Sequence, residues 1–234
     1  WSGRIATVGR WLAWFDRDGE RERRDALAVI AGWVHAMEGR TREGRRWLTS
    51  AEQSVDDGPM PDGASRASWV AVLRGYMAPA GMETLASDAR IALAGIPDES
   101  PFRQGALILG GFAAIAAGTP EAADAQFAEA ITVAEARRAI PGLSIALGER
   151  ALIALGRGDV AAATRHVESG LAAVRDAGMD EFVASMTLHA AATRVALANG
   201  SPSEARLAIA RVNRMRPIAT AAFPIPSLQM RFAT

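Results

Sequence analysis

Residues 153–169 read IALGRGDVAAATRHVES, and four other segments align with this stretch without a gap: 34–50, 75–91, 113–129 and 195–211. One column always holds a small residue, Gly39, Ala80, Gly118, Gly158 or Gly200, at spacings of 41, 38, 40 and 42 residues. Five positions later stand Gly44, Leu85, Ala123, Ala163 and Ala205. Nine positions later stand Leu48, Ala89, Phe127, Val167 and Ile209, and seven earlier stand Gly32, Leu73, Gly111, Ala151 and Thr193. Small residues on both sides of a tight turn let two antiparallel helices approach closely, and the apolar residue nine positions on fills their seam. The second unit fits least well, with leucine and alanine exchanged between two columns.

The upstream half of each unit (26–38, 67–79, 104–117, 143–157, 181–199) is apolar on most sides and rich in alanine, as in a helix packed between neighbours. The downstream halves (43–54, 83–93, 121–138, 160–177, 203–215) carry more charge. Thr119-Pro120-Glu121 and Ser201-Pro202-Ser203-Glu204 place proline in the first helical turn. Glycine and proline punctuate the linkers at 56–63, 97–101, 141–142 and 177–178, and no alternating run is long enough for a strand. The frame predicts an all-α fold, a right-handed α-solenoid of tetratricopeptide-like helix pairs with a period near 40 residues. It reads as a single superhelical domain over 1–234, with units near 1–25, 26–56, 64–97, 102–140, 142–178, 180–216 and a partial one at 217–234.

Composition suits this reading and removes much chemistry. Alanine, the strongest helix former, fills 51 of the 234 positions, and all 26 basic residues are arginine. Zero lysine excludes a Walker-A lysine and a Schiff base, and zero cysteine excludes disulfides, thiol nucleophiles and thiolate metal sites. With 26 acidic residues the formal charge is zero, which argues against gripping a phosphate backbone over a large surface. No signal peptide is evident at the start, and the longest apolar run, 105–118, is shorter than the roughly 20 residues of a membrane span. The sequence thus reads as a cytoplasmic fragment of something longer at both ends, with no membrane partner.

Catalytic and ligand motifs are scarce. His35, His166 and His189 are isolated, without metal-ligand spacing, and Gly142-Leu143-Ser144-Ile145-Ala146 lacks the second glycine of a nucleophile elbow. Asn199-Gly200-Ser201 matches a glycosylation sequon but coincides with the repeat turn. No nucleophile–base–orienter set is present, so no enzyme, catalytic residue, metal or cofactor is expected. Glu149 and Arg150, inside an apolar helix, form the candidate buried charge pair, with a structural ion pair the favoured reading. All six tryptophans (Trp1, Trp11, Trp14, Trp33, Trp47, Trp69) lie in the first 69 residues, packing an end unit in preference to forming a ligand cage. The run RDGERERR at 17–24 reads as a solvated connection. Trp33, Arg74, Phe112, Leu152 and Arg194 occupy one equivalent position on the upstream helices. That position faces the groove of tetratricopeptide stacks and makes these five the candidate groove residues.

The opening block Gly3-Arg4-Ile5-Ala6-Thr7-Val8-Gly9-Arg10-Trp11-Leu12-Ala13-Trp14-Phe15-Asp16 resembles the start of the helical-repeat region of large LuxR-family, MalT-like bacterial transcriptional regulators. Glu38-Gly39-Arg40-Thr41-Arg42-Glu43-Gly44-Arg45-Arg46-Trp47-Leu48 is similar to that family's first turn and second helix. Arg214-Met215-Arg216-Pro217-Ile218, with Phe223-Pro224 and Gln229, is similar to a late repeat of actinobacterial members. The resemblance implies a regulatory sensor and interaction segment between an NTPase region and a helix-turn-helix. Walker motifs and a basic recognition helix are missing, so nucleic acid would be met only through a separate domain. An effector, small molecule or peptide or protein, would bind in the groove, with self-association as a further role. The alternative is a free-standing tetratricopeptide-type peptide-binding adaptor with no transcriptional role.

Overall fold

A computed structural model describes residues 5–15, 25–54 and 58–233. They form α1 (Ile5–Phe15), α2 (Asp25–Met37), α3 (Thr41–Gln53), α4 (Arg66–Met77), α5 (Leu85–Gly95) and α6 (Arg103–Ala116). Then follow α7 (Pro120–Ala136), α8 (Ile140–Gly156), α9 (Val160–Asp176), α10 (Met186–Ala198), α11 (Pro202–Met215) and α12 (Pro224–Ala233). Single 3-10 turns, Val183–Ser185 and Arg216–Ile218, precede α10 and follow α11, and no strand occurs among the described residues. The chain is an all-α stack of antiparallel pairs, α2/α3, α4/α5, α6/α7, α8/α9 and α10/α11. The charged stretch 17–24, residues 55–57, Trp1 and the side chain of Trp14 lie outside the described residues.

Local chemistry sets the boundaries. Four pairs turn through three residues whose middle one is a left-handed glycine: Gly39, Gly118, Gly158 and Gly200, with φ of 74, 72, 76 and 69°. Glycine adopts this region without the Cβ clash other residues meet. The second pair departs from the aligned frame. Its connection runs over 78–84, and the left-handed residues are Ala78 (φ 39°) and Gly81 (φ 78°), not the aligned Ala80. Proline opens α7, α11 and α12, where a missing N–H costs nothing. Asp159 caps α9 by accepting from the Ala162 N–H at 2.9 Å, and Ser65 caps α4 by accepting from the Ser68 N–H at 3.2 Å.

The repeat columns are the core. Leu73, Ala151 and Thr193, and Leu85, Ala123, Ala163 and Ala205, are all buried, as are Gly32, Gly44 and Gly111. A Cβ added to Gly111 would lie 2.5 Å from the Phe127 ring, so glycine there is what admits the large residue of the partner helix. Consecutive even-numbered helices also pack on one another, α2 on α4, α4 on α6, α6 on α8, α8 on α10 and α10 on α12. Helices α2, α4, α6, α8 and α10 form the inner layer, and the odd-numbered helices cover it. Helix α9 accordingly buries a single stripe, Ala163, Val167, Gly170 and Val174, whereas α8 is buried around most of its circumference. Asp62 ties the linkers, accepting from Trp69 Nε1 at 3.1 Å, from the Ala64 N–H at 3.1 Å and from the Ser100 hydroxyl. Trp69 packs at a tilt on Phe102 with ring centroids 4.3 Å apart, and Trp33 and Trp69 are both core residues. Trp11 is exposed. None of the described helices is long and apolar enough to cross a membrane.

Candidate functional site

The inner layer carries a row of aromatic rings, one from each of its first three helices. Trp33 of α2 meets Tyr76 of α4 edge-on at 5.0 Å, Tyr76 meets Phe112 of α6 at 6.1 Å, and Phe112 meets Phe127 of α7 at 5.8 Å. A further ring, Phe223, packs against both Trp33 and Tyr76, at 5.8 and 6.1 Å, so that the three rings form a triangle. It comes from the connection before α12, far along the chain, and is only 6% exposed.

The whole segment after α11 lies on this inner face. Thr41, at the start of α3, donates to the Thr220 hydroxyl at 3.3 Å, and the Gly39 turn abuts Ile218 and Thr220. Further along, Thr187 of α10 donates to Gln229 Oε1 at 2.7 Å, and Gln229 Nε2 donates to Glu149 of α8. A stretch this short touches α2, α3, α4, α8 and α10 only if the inner layer is concave and the stretch lies inside it. Ala222, Phe223, Pro226, Ser227 and Met230 turn inward, while Leu228 and Arg231 face out. Spacings of three, four and seven from Phe223 put these inward residues on one face, as in a helix seated in a groove.

The sequence-predicted site residues are distributed as follows. Trp33 and Phe112 belong to the aromatic row. The Arg74 guanidinium donates to Asp88 Oδ1 at 2.9 and 2.5 Å and to Glu52 at 3.0 Å, bracing α4 against α5 and α3. Leu152 packs in a separate cluster with Ala151, Ala191 and Val195, and Arg194 is exposed. Glu149 and Arg150 have different partners: Arg150 Nε donates to Asp124 at 2.7 Å, whereas Glu149 accepts from Gln229. Burial works to raise the Asp124 carboxyl, but Arg150 and Arg157 hold it below its ordinary value. Glu149 is held by an amide where Asp124 is held by guanidinium groups. At 4% exposure, burial pushes its carboxyl up to about 7, and the Gln229 hydrogen bond only partly offsets this.

Histidine and serine settle into local bonding. His189 Nε2 donates to the Asp180 carbonyl at 2.7 Å, and burial holds its pKa below the ordinary histidine value. Ser144 donates to the carbonyls of Pro141 and Ala184 at 2.9 and 3.1 Å. Asn199 donates to Thr164 at 3.1 Å across the α9 and α10 pairs. Among the described residues no cluster of three His, Asp or Glu could hold a metal ion. Sequence reasoning missed Tyr76 and Thr187 as inner-face residues, and Phe223 and Gln229 as the side chains that meet them. The one available signal was the Phe-Pro-Ile-Pro punctuation beyond the last full repeat.

No family model matches the chain, and no curated protein matches it. Among the solved structures similar to it are two described as kinesin light chain nearly identical TPR-like repeats from Podosopora anserina, the second being a point variant of that protein. They are 16% and 18% identical, cover 82% of this chain and 96% and 92% of their own, and superpose with a TM-score of 0.47 each.

Proposed function

We propose that this chain is a regulatory and protein-interaction segment that binds its partner on the concave inner face, as part of a LuxR-type, MalT-like transcriptional regulator. The observation that carries the binding half is the seating of a polypeptide on that face, with Phe223 packed against both Trp33 and Tyr76 and Gln229 between Glu149 and Thr187. A face that holds polypeptide through a row of aromatic rings and a buried amide-binding pair has the chemistry of peptide recognition. The regulator half is supported by the opening block and by the Gly39 turn with the helix after it, as quoted above. Small rotations between stacked pairs add along a solenoid, so an occupant can change curvature and be felt by domains attached at either end. In this proposal the segment works in the cytoplasm, binds without catalysis, meets nucleic acid only through another domain, and can self-associate.

The surrounding reading frame tests the regulator half. A helix-turn-helix encoded downstream and an NTPase upstream support it, whereas a frame with neither favours the free-standing peptide-binding adaptor. A thermal-shift screen tests the binding half, because a ligand of the folded state raises the melting temperature.

A further inference from the structure

Charge is placed unevenly along this chain. All 26 acidic residues lie in the first 204 positions, beside 21 of the arginines, whereas residues 205–234 hold five arginines and no acid. Of those five, Arg214 is paired, its Nε donating to Glu181 at 2.7 Å. Arg216 is exposed, and its guanidinium makes no ion pair among the described residues. It borders an open pocket of about 210 Å³, about the bulk volume of seven water molecules. The pocket is lined by Val212 of α11, by Arg216 and Ala219 after it, and by Ser227, Met230 and Arg231 of α12. Val212, Ala219 and Met230 supply an apolar surface, and the two exposed arginines supply a cationic one. The Ser227 hydroxyl already donates to the Thr220 carbonyl at 2.8 Å, so donation to a ligand falls to the arginines.

A guanidinium presents a planar fork of N–H donors that matches carboxylate and phosphate oxygens. A local surplus of positive charge raises the concentration of anions around it. An apolar lining beside a few polar groups is the usual make-up of a small-molecule site. We propose that the pocket between α11 and α12 binds a small organic anion, a carboxylate or phosphate monoester on a short apolar chain. The head group accepts from Arg216 with Arg231 beside it, and the chain rests on Val212, Ala219 and Met230. This site shares no residue with the aromatic row or with the Gln229 bonds, and it stands whether or not the inner face takes a partner. A ligand there touches α11, the connection after it and α12 at once, so its binding ties the last segment to the last full pair.

The test titrates the full chain, labelled with nitrogen-15, with 3-methylbutanoate, isobutyl phosphate, neutral 3-methylbutanamide and inorganic phosphate at low ionic strength. At least one of the two organic anions is expected to shift the backbone amides of residues 212–231 saturably, and the tighter of the two names the head group. The neutral amide is expected to bind about tenfold more weakly, since it lacks the charge that strengthens hydrogen bonds to arginine. Arg216→Gln is expected to weaken binding about tenfold with an unchanged circular dichroism spectrum. Ala219→Leu, which fills the pocket and leaves its charge alone, is expected to remove binding. Inorganic phosphate that binds as tightly as isobutyl phosphate and persists in Ala219→Leu would mean an adventitious ion only. Absence of saturable shifts with both organic anions, or shifts unchanged in Arg216→Gln, overturns the site. Each of these outcomes leaves the partner-binding reading of the inner face where it stands.

Discussion

Replacing Glu149 with glutamine isolates the consequence of burying one carboxyl against an amide. Burial raises this carboxyl from 4.5 to about 7, while the unfolded chain keeps the ordinary value. The folded chain therefore holds the proton more tightly than the unfolded chain. The resulting stability is fully present below about pH 4.5 and is lost as pH rises through about 7. At about 1.4 kcal/mol for each tenfold change in proton affinity, the span amounts to on the order of 3 kcal/mol. Glutamine keeps the shape and the carbonyl oxygen that accepts from Gln229, but it cannot ionise. Urea unfolding from pH 5 to 8.5 is the assay. The parent chain should lose stability over this interval, Glu149→Gln should follow a flatter curve, and the variant should be the more stable of the two at pH 8. Equal slopes in the two proteins would refute the argument. So would a variant less stable at every pH, which would mean the ionised carboxylate is what the fold requires.

Three other substitutions probe the stack. Gly111→Ala puts a methyl 2.5 Å from the Phe127 ring, and the overpacking should cost about 1–3 kcal/mol, read as a lower melting temperature. Gly158→Ala meets no neighbour within 4 Å but keeps a φ of 76°, so its cost is conformational alone, about 1 kcal/mol by urea titration; no loss would mean the turn can relax. Arg74→Ala strips from Asp88, whose side chain is 0% exposed, the guanidinium it is paired with, and should destabilise by about 3 kcal/mol. Asp88→Asn in the same background should recover part of that loss, and failure to do so would show that the packing of the arginine stem matters more than its charge.

The repeat was legible because each contact that defines it is local. Gly118 and Phe127 are nine residues apart, and the left-handed turn and the seam both leave a residue type at a fixed offset. The frame slipped at the second pair, where a gapless alignment could not see that a seven-residue connection replaces a three-residue one. It equated Ala80 with a turn glycine when Ala78 and Gly81 take the left-handed positions. Burial of Glu149 could be inferred from the apolar residues around it, but its partner could not. Neighbours in sequence point about 100° apart on a helix, so Arg150 turns to α7 while Glu149 turns to Gln229. The occupant of the groove left no periodic trace, since Phe223 pairs with rings on helices from the other end of the chain.

That pairing also changes what kind of polymer the chain is. An ordinary repeat array is nearly one-dimensional, can start folding at any unit and can fray from its ends. Here Thr41 and Thr220 touch across a separation of 179 residues. Closing a flexible loop of that length would cost roughly 4–5 kcal/mol of chain entropy, which the contact avoids when the helix pairs between the two residues have already formed. The stack of helix pairs should therefore form quickly from local contacts, with seating of the last segment as a slower, separate step. Once it is seated, the two ends of the array are one cooperative unit. Hydrogen exchange in α2 should then report on events at α12, although nearly the whole solenoid lies between them in sequence.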